Sequence, residues 1–276
     1  MSTSVAVVIG AGGMGQAIAR RLGAGRRVVL ADFDEQLLDA EASRMRAEGY
    51  EVTSVPVDVS RRDSVAGLVE HADSLGDITS VVDTAGLSPG QAPVPAILAV
   101  DLVGVALVLD EFGKVIAPAG AGVVIASVAG HSHPPFTAEQ TLLLATTPPE
   151  ELLELPFAAP SAFSHGGPAY AFAKRANIVR VQAASSSWGA RGARVNSVSP
   201  GVVATPMGQA ELNGEAGDFM RTMISASNAG RVGTSADIAA AVEFLLGPAA
   251  SFISGSDLLV DGGVTAAVQT GGISLG

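Results

Sequence analysis

The stretch "VVIGAGGMGQAIA", residues 7–19, decides how the chain folds. A run of apolar residues enters Gly10-x-Gly12-x-x-Gly15 and leaves it as a helical pattern. Between a strand and a helix the three glycines have separate tasks: a tight turn, close approach of the backbone to a pyrophosphate, and packing of helix on strand. An anion held there sits at a helix N-terminus, where free N–H groups and the helix dipole favour it. Gly10, Gly12, Met14 and Gly15 are therefore candidate cofactor contacts, a bare tight turn being the other reading. Asp32 closes the next apolar run, "VVLAD", twenty positions after Gly12. A carboxylate at that place accepts hydrogen bonds from ribose hydroxyls and repels a 2′-phosphate, so it selects NAD over NADP. Arg20 and Arg21 would soften that preference if either reached the ribose. Asp34 suits the cap of the following helix better than Asp32 does.

Working outward, short apolar runs at 5–9, 27–31, 51–57, 78–83, 122–127, 194–199 and 257–262 read as strands. Helical patterns lie near 15–23, 34–48, 60–74, 92–117, 168–189 and 235–246. Near-continuous apolar strands belong to a sheet covered on both faces, and the strand–helix rhythm makes its strands parallel. The expected fold is α/β: a doubly wound parallel sheet of about seven strands, a Rossmann fold in one domain over 1–276. Two segments break the rhythm. Residues 131–165 hold "TAEQTLLLA" and "PPEELLEL", each with the pattern of a short helix. Residues 202–230 carry Met207, Phe219, Met220 and Met223, which fit an apolar lid over substrate or plain helix packing.

The charge is −11 with no long basic run, which argues against a nucleic acid partner. The most apolar stretch, 92–109, has Pro93 and Pro95 near its start and Asp101 at its centre, so it reads as a buried helix and not a membrane span. Without cysteine there is no thiol catalysis, disulfide or Cys-bound zinc. The N-terminus lacks the basic region of a signal peptide. A cytoplasmic protein is expected. His131, His133 and His165 bracket the first irregular segment, but no spacing completes a metal site, and none is expected.

"PAYAFAKRA", residues 168–176, places Tyr170 four positions before Lys174, on one helix face. A fixed ammonium favours a phenolate, so Lys174 is expected to lower the Tyr170 pKa and make it an acid–base near neutrality. The plainer reading is a tyrosine at a core edge and a lysine reaching for solvent. Ser127 ends the fifth strand, on the side of a parallel sheet where ligands bind. Its hydroxyl would hold a substrate oxygen, or merely cap the next turn.

These elements in this order resemble the short-chain dehydrogenase/reductase family over essentially the whole chain. The match runs through the glycine turn, "VVLAD", "VDV" at 57–59, "DTAG" at 83–86 and Ser127. It continues through "YAFAK" at 170–174, "RVNSVSPGVVATPM" at 194–207 and "FISGSDLLVDGG" at 252–263. The resemblance implies that Tyr170 moves the hydroxyl proton, that Ser127 orients the oxygen, and that Lys174 binds ribose hydroxyls. It also implies that Asp58 and Val59 lie beside adenine, and Ala85 and Gly86 along the adenosine ribose. The turn of Pro200, Gly201, Val203 and Thr205 would hold the nicotinamide carboxamide. The implied activity is hydride transfer between a nicotinamide cofactor and a secondary alcohol or ketone. The rival is a nicotinamide-binding sensor or scaffold with weak catalysis.

Three features depart from the family pattern. The glycine turn is one residue shorter, with Ile9 in place of threonine, and "DTAG" replaces an N-N-A-G. Asp101 stands where the family's fourth catalytic residue is asparagine, whose backbone carbonyl serves a proton relay. Its carboxylate would compete for the charge of Lys174, unless burial keeps it protonated. The 131–165 insert is similar to that of bacterial 3α-hydroxysteroid dehydrogenase/carbonyl reductases, which implies a bulky apolar or steroid-like substrate and a homodimer or homotetramer.

Overall fold

In the computed structural model, which describes residues 3–214 and 216–271, seven strands form one parallel sheet in the order β3-β2-β1-β4-β5-β6-β7. The first half comprises β1 (Ser4–Ile9), α1 (Gly13–Leu22), β2 (Arg27–Asp32), α2 (Glu35–Ala47), β3 (Glu51–Pro56), α3 (Arg62–Leu75) and β4 (Asp77–Asp83). Next come α4 (Val94–Leu98), a π-helical turn (Ala99–Gly104), α5 (Val105–Val115), β5 (Ala121–Ile125), α6 (Val128–Ser132), α7 (Ala138–Thr146) and α8 (Gly166–Ala190). The chain then forms β6 (Arg194–Pro200), α9 (Pro206–Leu212), α10 (Gly217–Ala226), α11 (Ser235–Leu246), β7 (Asp257–Val260) and α12 (Val264–Gln269).

Strand alternation builds two cores. Val5, Val7 and Ile9 of β1 pack on the side of α3, α5 and α8, whereas Ala6 and Val8 pack on the side of α1, α2 and α11. Each fully enclosed Val, Leu or Ile stabilises the fold by about 1.5–3 kcal/mol. The order of strands reverses between β1 and β4, which makes the crevice above those two strands the ligand-binding position of the sheet.

The expected helix at 92–117 is interrupted. The π-helical turn "AVDLVG" separates α4 from α5 and carries Asp101 inward, fully buried. Such an irregularity inside a helix often marks a functional position. The 131–165 segment has structure of its own. Thr137 and Gln140 form a capping box at the start of α7, and a 3-10 turn covers Pro149–Glu154. Arg180 of α8 anchors this segment by donating to the Leu144 carbonyl at 3.0 Å and the Thr147 carbonyl at 2.9 Å. No described helix is long and apolar enough to cross a membrane.

Candidate functional site

The glycine turn closes as its sequence requires. Gly10 has φ +99°, and a Cβ on it would meet Thr84 Oγ1 at 2.2 Å. A Cβ on Gly15 would stand 1.8 Å from the Gly10 carbonyl, so helix and strand meet with no room for a side chain. Gly12 differs: a Cβ there meets nothing within 4 Å. The turn is thus tight underneath and open above, beside the N-terminus of α1. This is a cradle into which a pyrophosphate fits. Met14 is partly buried against the α1 side of the core.

Asp32 ends β2 next to this cradle. Its Oδ2 accepts from Ala11 N at 2.5 Å and its Oδ1 from Asp34 N at 2.9 Å, so its carboxylate is fixed by backbone. Asp34 caps α2 through Gln36 N and Leu37 N. Neither nearby arginine reaches Asp32. Arg20 is engaged by Glu41 and Glu48, and Arg21 by Glu243.

The remaining cofactor candidates line the same edge with different exposures. Asp58 Oδ1 accepts from Ser60 N at 3.0 Å, whereas Val59 is buried, with Gly104 so close that a Cβ there would stand 2.8 Å from Val59 Cγ2. Any contact from Val59 to a ligand falls to its backbone. Ala85 N donates to Asp83 Oδ1 at 3.1 Å, and a Cβ on Gly86 would stand 2.7 Å from Asp101 Oδ1 and 3.2 Å from Lys174 Nζ. From Pro200 the chain leaves β6. Gly201 N donates to the Val260 carbonyl at 3.1 Å, Val203 bridges to Gly233, and Thr205 caps α9 through Gly208 N at 3.0 Å. Thr205 and Pro206 lie 3.2 Å from the Cβ position of Gly13, so the 202–230 segment begins directly over the glycine turn.

Ser127, Tyr170, Lys174 and Asp101 converge at the C-terminal edge of β5. Ser127 lies just past the strand and caps α6, accepting from Ala129 N at 3.1 Å. The capping role and the proximity to Tyr170 coexist. Gly130 lets α6 cross α8 closely, since a Cβ there would meet the Lys174 backbone at 2.8 Å. On α8 the Lys174 ammonium lies 5.5 Å from the centroid of the Tyr170 ring. It donates to the Ile125 carbonyl at 3.2 Å and pairs with Asp101 Oδ1 at 2.9 Å.

Asp101 settles the protonation of this group. Burial pushes its carboxyl up, opposed by the Lys174 ammonium and the Leu87 N–H. Geometry favours the ionised form, because Oδ1 lies 2.9 Å from the Lys174 ammonium and Oδ2 accepts from Leu87 N at 2.9 Å. Burial pulls the Lys174 ammonium down, but Asp101, Tyr170 and Asp83 together outweigh it and the lysine is raised. The expected lowering of Tyr170 is not found. Burial raises its pKa, Lys174 lowers it, Asp101 raises it, Ser127 lowers it, and Glu211 raises it again; the net direction is up. The physical reason is first the burial of the phenol, and second that Asp101 and Glu211 oppose the lowering by Lys174.

Two participants escaped the sequence reading. Asp83, at the end of β4, is buried, raises Lys174, and is itself acted on by Lys174 and Asp101. Glu211 on α9 faces Tyr170 from the 202–230 segment; burial raises its pKa, opposed by the Ser88 hydroxyl. "DTAG" already displayed the first acid at a strand end, but nothing in "QAELNG" distinguishes Glu211 from a solvent-facing helix acid. The three bracketing histidines separate. His131 pairs with Asp257 at 2.8 Å, His133 packs on Phe136 and Phe172, and His165 caps α8.

Comparison with known proteins gives the family. The sequence model described as short chain dehydrogenase matches residues 4–139, and one described as enoyl-(acyl carrier protein) reductase matches 152–265. The chain is 43% identical to the short-chain dehydrogenase/reductase bsc3 of Alternaria brassicicola, over 96% of this chain and 97% of that one. It is 29% identical to a 3-alpha-hydroxysteroid dehydrogenase/carbonyl reductase of Comamonas testosteroni, over 96% and 98% of the two chains. Among solved structures, levodione reductase superposes with TM-score 0.75 at 25% identity, covering 96% of this chain and 98% of its own. The chain belongs to the short-chain dehydrogenase/reductase family, a family of oxidoreductases that use nicotinamide cofactors.

Proposed function

We propose that the protein interconverts a secondary alcohol and a ketone with NAD as its cofactor, Tyr170 carrying the proton. The observation behind this reading is the convergence of Ser127, Tyr170 and Lys174 beside the glycine cradle, on one edge of the sheet. Gly10, Gly12, Met14 and Gly15 would hold the pyrophosphate, Asp32 the adenosine ribose, and Pro200, Gly201, Val203 and Thr205 the carboxamide end. Bound there, the nicotinamide supplies or accepts the hydride.

The chain's own residues do the rest. Ser127 Oγ holds the substrate oxygen next to the phenol. Tyr170 gives its proton to that oxygen in reduction and takes it back in oxidation. Lys174, fixed by Ile125 and Asp101, favours the phenolate that remains and offers its third N–H to a ribose hydroxyl. Because the net shift of Tyr170 is upward, the phenol is protonated at neutral pH. The site is therefore set for carbonyl reduction near neutrality, with alcohol oxidation favoured at alkaline pH.

Preference for NAD over NADP follows from Asp32, because Arg20 and Arg21 are committed to Glu41, Glu48 and Glu243. Phe33, which follows it and is exposed, adds no cation. A bulky apolar substrate, ring-sized or steroid-like, agrees with Met220 and Met223 on the inner side of the 202–230 segment and with the printed activity of the Comamonas relative. The test is NADH consumption across cyclic and steroidal ketones. Turnover that vanishes in Tyr170→Phe supports the enzyme, whereas NADH binding without turnover of any ketone or alcohol supports the sensor reading.

A further inference from the structure

Asp83 is 1% exposed at the C-terminal end of β4, on the sheet face that α5 and α8 cover. Its Oδ1 accepts from Ala85 N, while its Oδ2 has no hydrogen-bond partner among the described residues. The side chain borders a void of about 10 Å³ walled by Val81, Val108, Leu109, Val124 and Trp188. A water needs at least that much room and two to four polar partners, so these walls offer the carboxylate no solvation. Asp101, on the π-helical turn beside the same lysine, is ion-paired to Lys174 through Oδ1 and accepts from Leu87 N through Oδ2. Two neighbouring acids thus stand in opposite surroundings, the arrangement that drives protonation states apart.

We propose that Asp83 is a positioning acid for the Lys174–Asp101 pair: as a neutral carboxylic acid it leaves that pair balanced, and on ionising it adds a second negative charge that makes Tyr170 hold its proton more tightly. Balance is the reason. Lys174 and ionised Asp101 cancel, and a further buried carboxylate without a cation costs several kcal/mol. Burial pushes the Asp83 carboxyl up to about 7; the Ala85 N–H and the Lys174 ammonium pull against burial, and Asp101 adds to it. Those are the charges that reach it: Lys174 from α8 and Asp101 from the π-helical turn. Nothing charged acts on it from β1, β5 or α5 among the described residues. The consequence is a site whose oxidising direction is held back as the pH passes neutrality, because Asp83 ionises before Tyr170 does.

This inference rests on the oxidoreductase reading only for its effect on Tyr170, and the experiment separates the two. Urea unfolding of the wild type and of Asp83→Asn is followed between pH 4 and 8. The folded state keeps the Asp83 proton where the unfolded chain has lost it, so raising the pH favours unfolding. The wild type should therefore lose, relative to Asp83→Asn, about a factor of ten in folding equilibrium constant per pH unit between about pH 4 and pH 7. A constant difference between the two proteins overturns the neutral acid. The pH profile of alcohol oxidation is then compared: in Asp83→Asn its half-rise should move down by about one pH unit with NADH affinity unchanged. A changed stability profile with an unmoved rate profile overturns the coupling to Tyr170. Absence of all turnover would instead refute the enzyme reading, while the unfolding data still decide the protonation of Asp83. Should Asp83→Asn fail to fold, the infrared band of a protonated carboxyl decides, recorded in Glu211→Gln and in Glu211→Gln/Asp101→Asn to remove the other two raised acids. Its loss as the pH rises through neutrality supports the assignment, and its absence at pH 5 overturns it.

Discussion

Lys174 Nζ lies 2.9 Å from Asp101 Oδ1, with the two side chains 4% and 0% exposed. An ammonium placed to acidify a phenol is thus already answered by a carboxylate. Asp101→Asn keeps the shape and removes the opposing charge. It should retain ketone reduction and shift the half-rise of alcohol oxidation downward by about one to two pH units. Asp101→Ala is the harsher change, because it strands the buried ammonium. A loss of about 3–5 kcal/mol in urea unfolding is expected. A Tyr170-dependent profile that stays in place in Asp101→Asn would show that the carboxylate does not govern the phenol.

Gly12 and Gly15 should separate binding from folding. In Gly12→Ala the new methyl meets no protein atom, so the melting temperature should hold while NADH affinity falls at least tenfold, about 1.4 kcal/mol. In Gly15→Ala the methyl collides with the Gly10 carbonyl, so folding itself should suffer. Melting curves and NADH fluorescence titrations on the two variants read both outcomes.

Asp32→Ala tests cofactor choice. The wild type should bind NADH at least tenfold more tightly than NADPH, and the variant should narrow that ratio, chiefly by weakening NADH. Equal affinity for both in the wild type would contradict the role given to Asp32.

The contrast between what the sequence displayed and what it hid follows from how local each signal is. The glycine turn, Asp32 and the Tyr170–Lys174 spacing are short-range patterns with backbone consequences, and each lies where its spacing places it. The seven strands were visible because buried parallel strands are continuous apolar runs. The break at Ala99–Gly104 was not, since "AILAVDLVGVALVL" has helical composition throughout and only tertiary packing of Asp101 against Lys174 and Leu87 reveals the π-helical turn. The Tyr170 shift was read with the wrong sign for the same reason. Spacing shows the lysine four residues on, but neither the burial of the phenol, which is the larger influence, nor Asp101 arriving from an earlier part of the chain.

Arg180 should hold the 131–165 segment in place. Its guanidinium satisfies two carbonyls at the end of α7, and each orphaned buried acceptor costs about 1–3 kcal/mol. Arg180→Met is therefore expected to lower the melting temperature and to hasten proteolysis within 138–162, leaving NADH affinity unchanged. Cleavage elsewhere with the segment intact would contradict this anchoring.

The most direct measurement is the rate of NADH-dependent ketone reduction by Tyr170→Phe at matched cofactor occupancy. The phenyl ring keeps the packing and removes only the hydroxyl. The account predicts unchanged NADH affinity with a fall in kcat of about a hundredfold to ten-thousandfold. A variant that turns over within a few-fold of the wild type would contradict it.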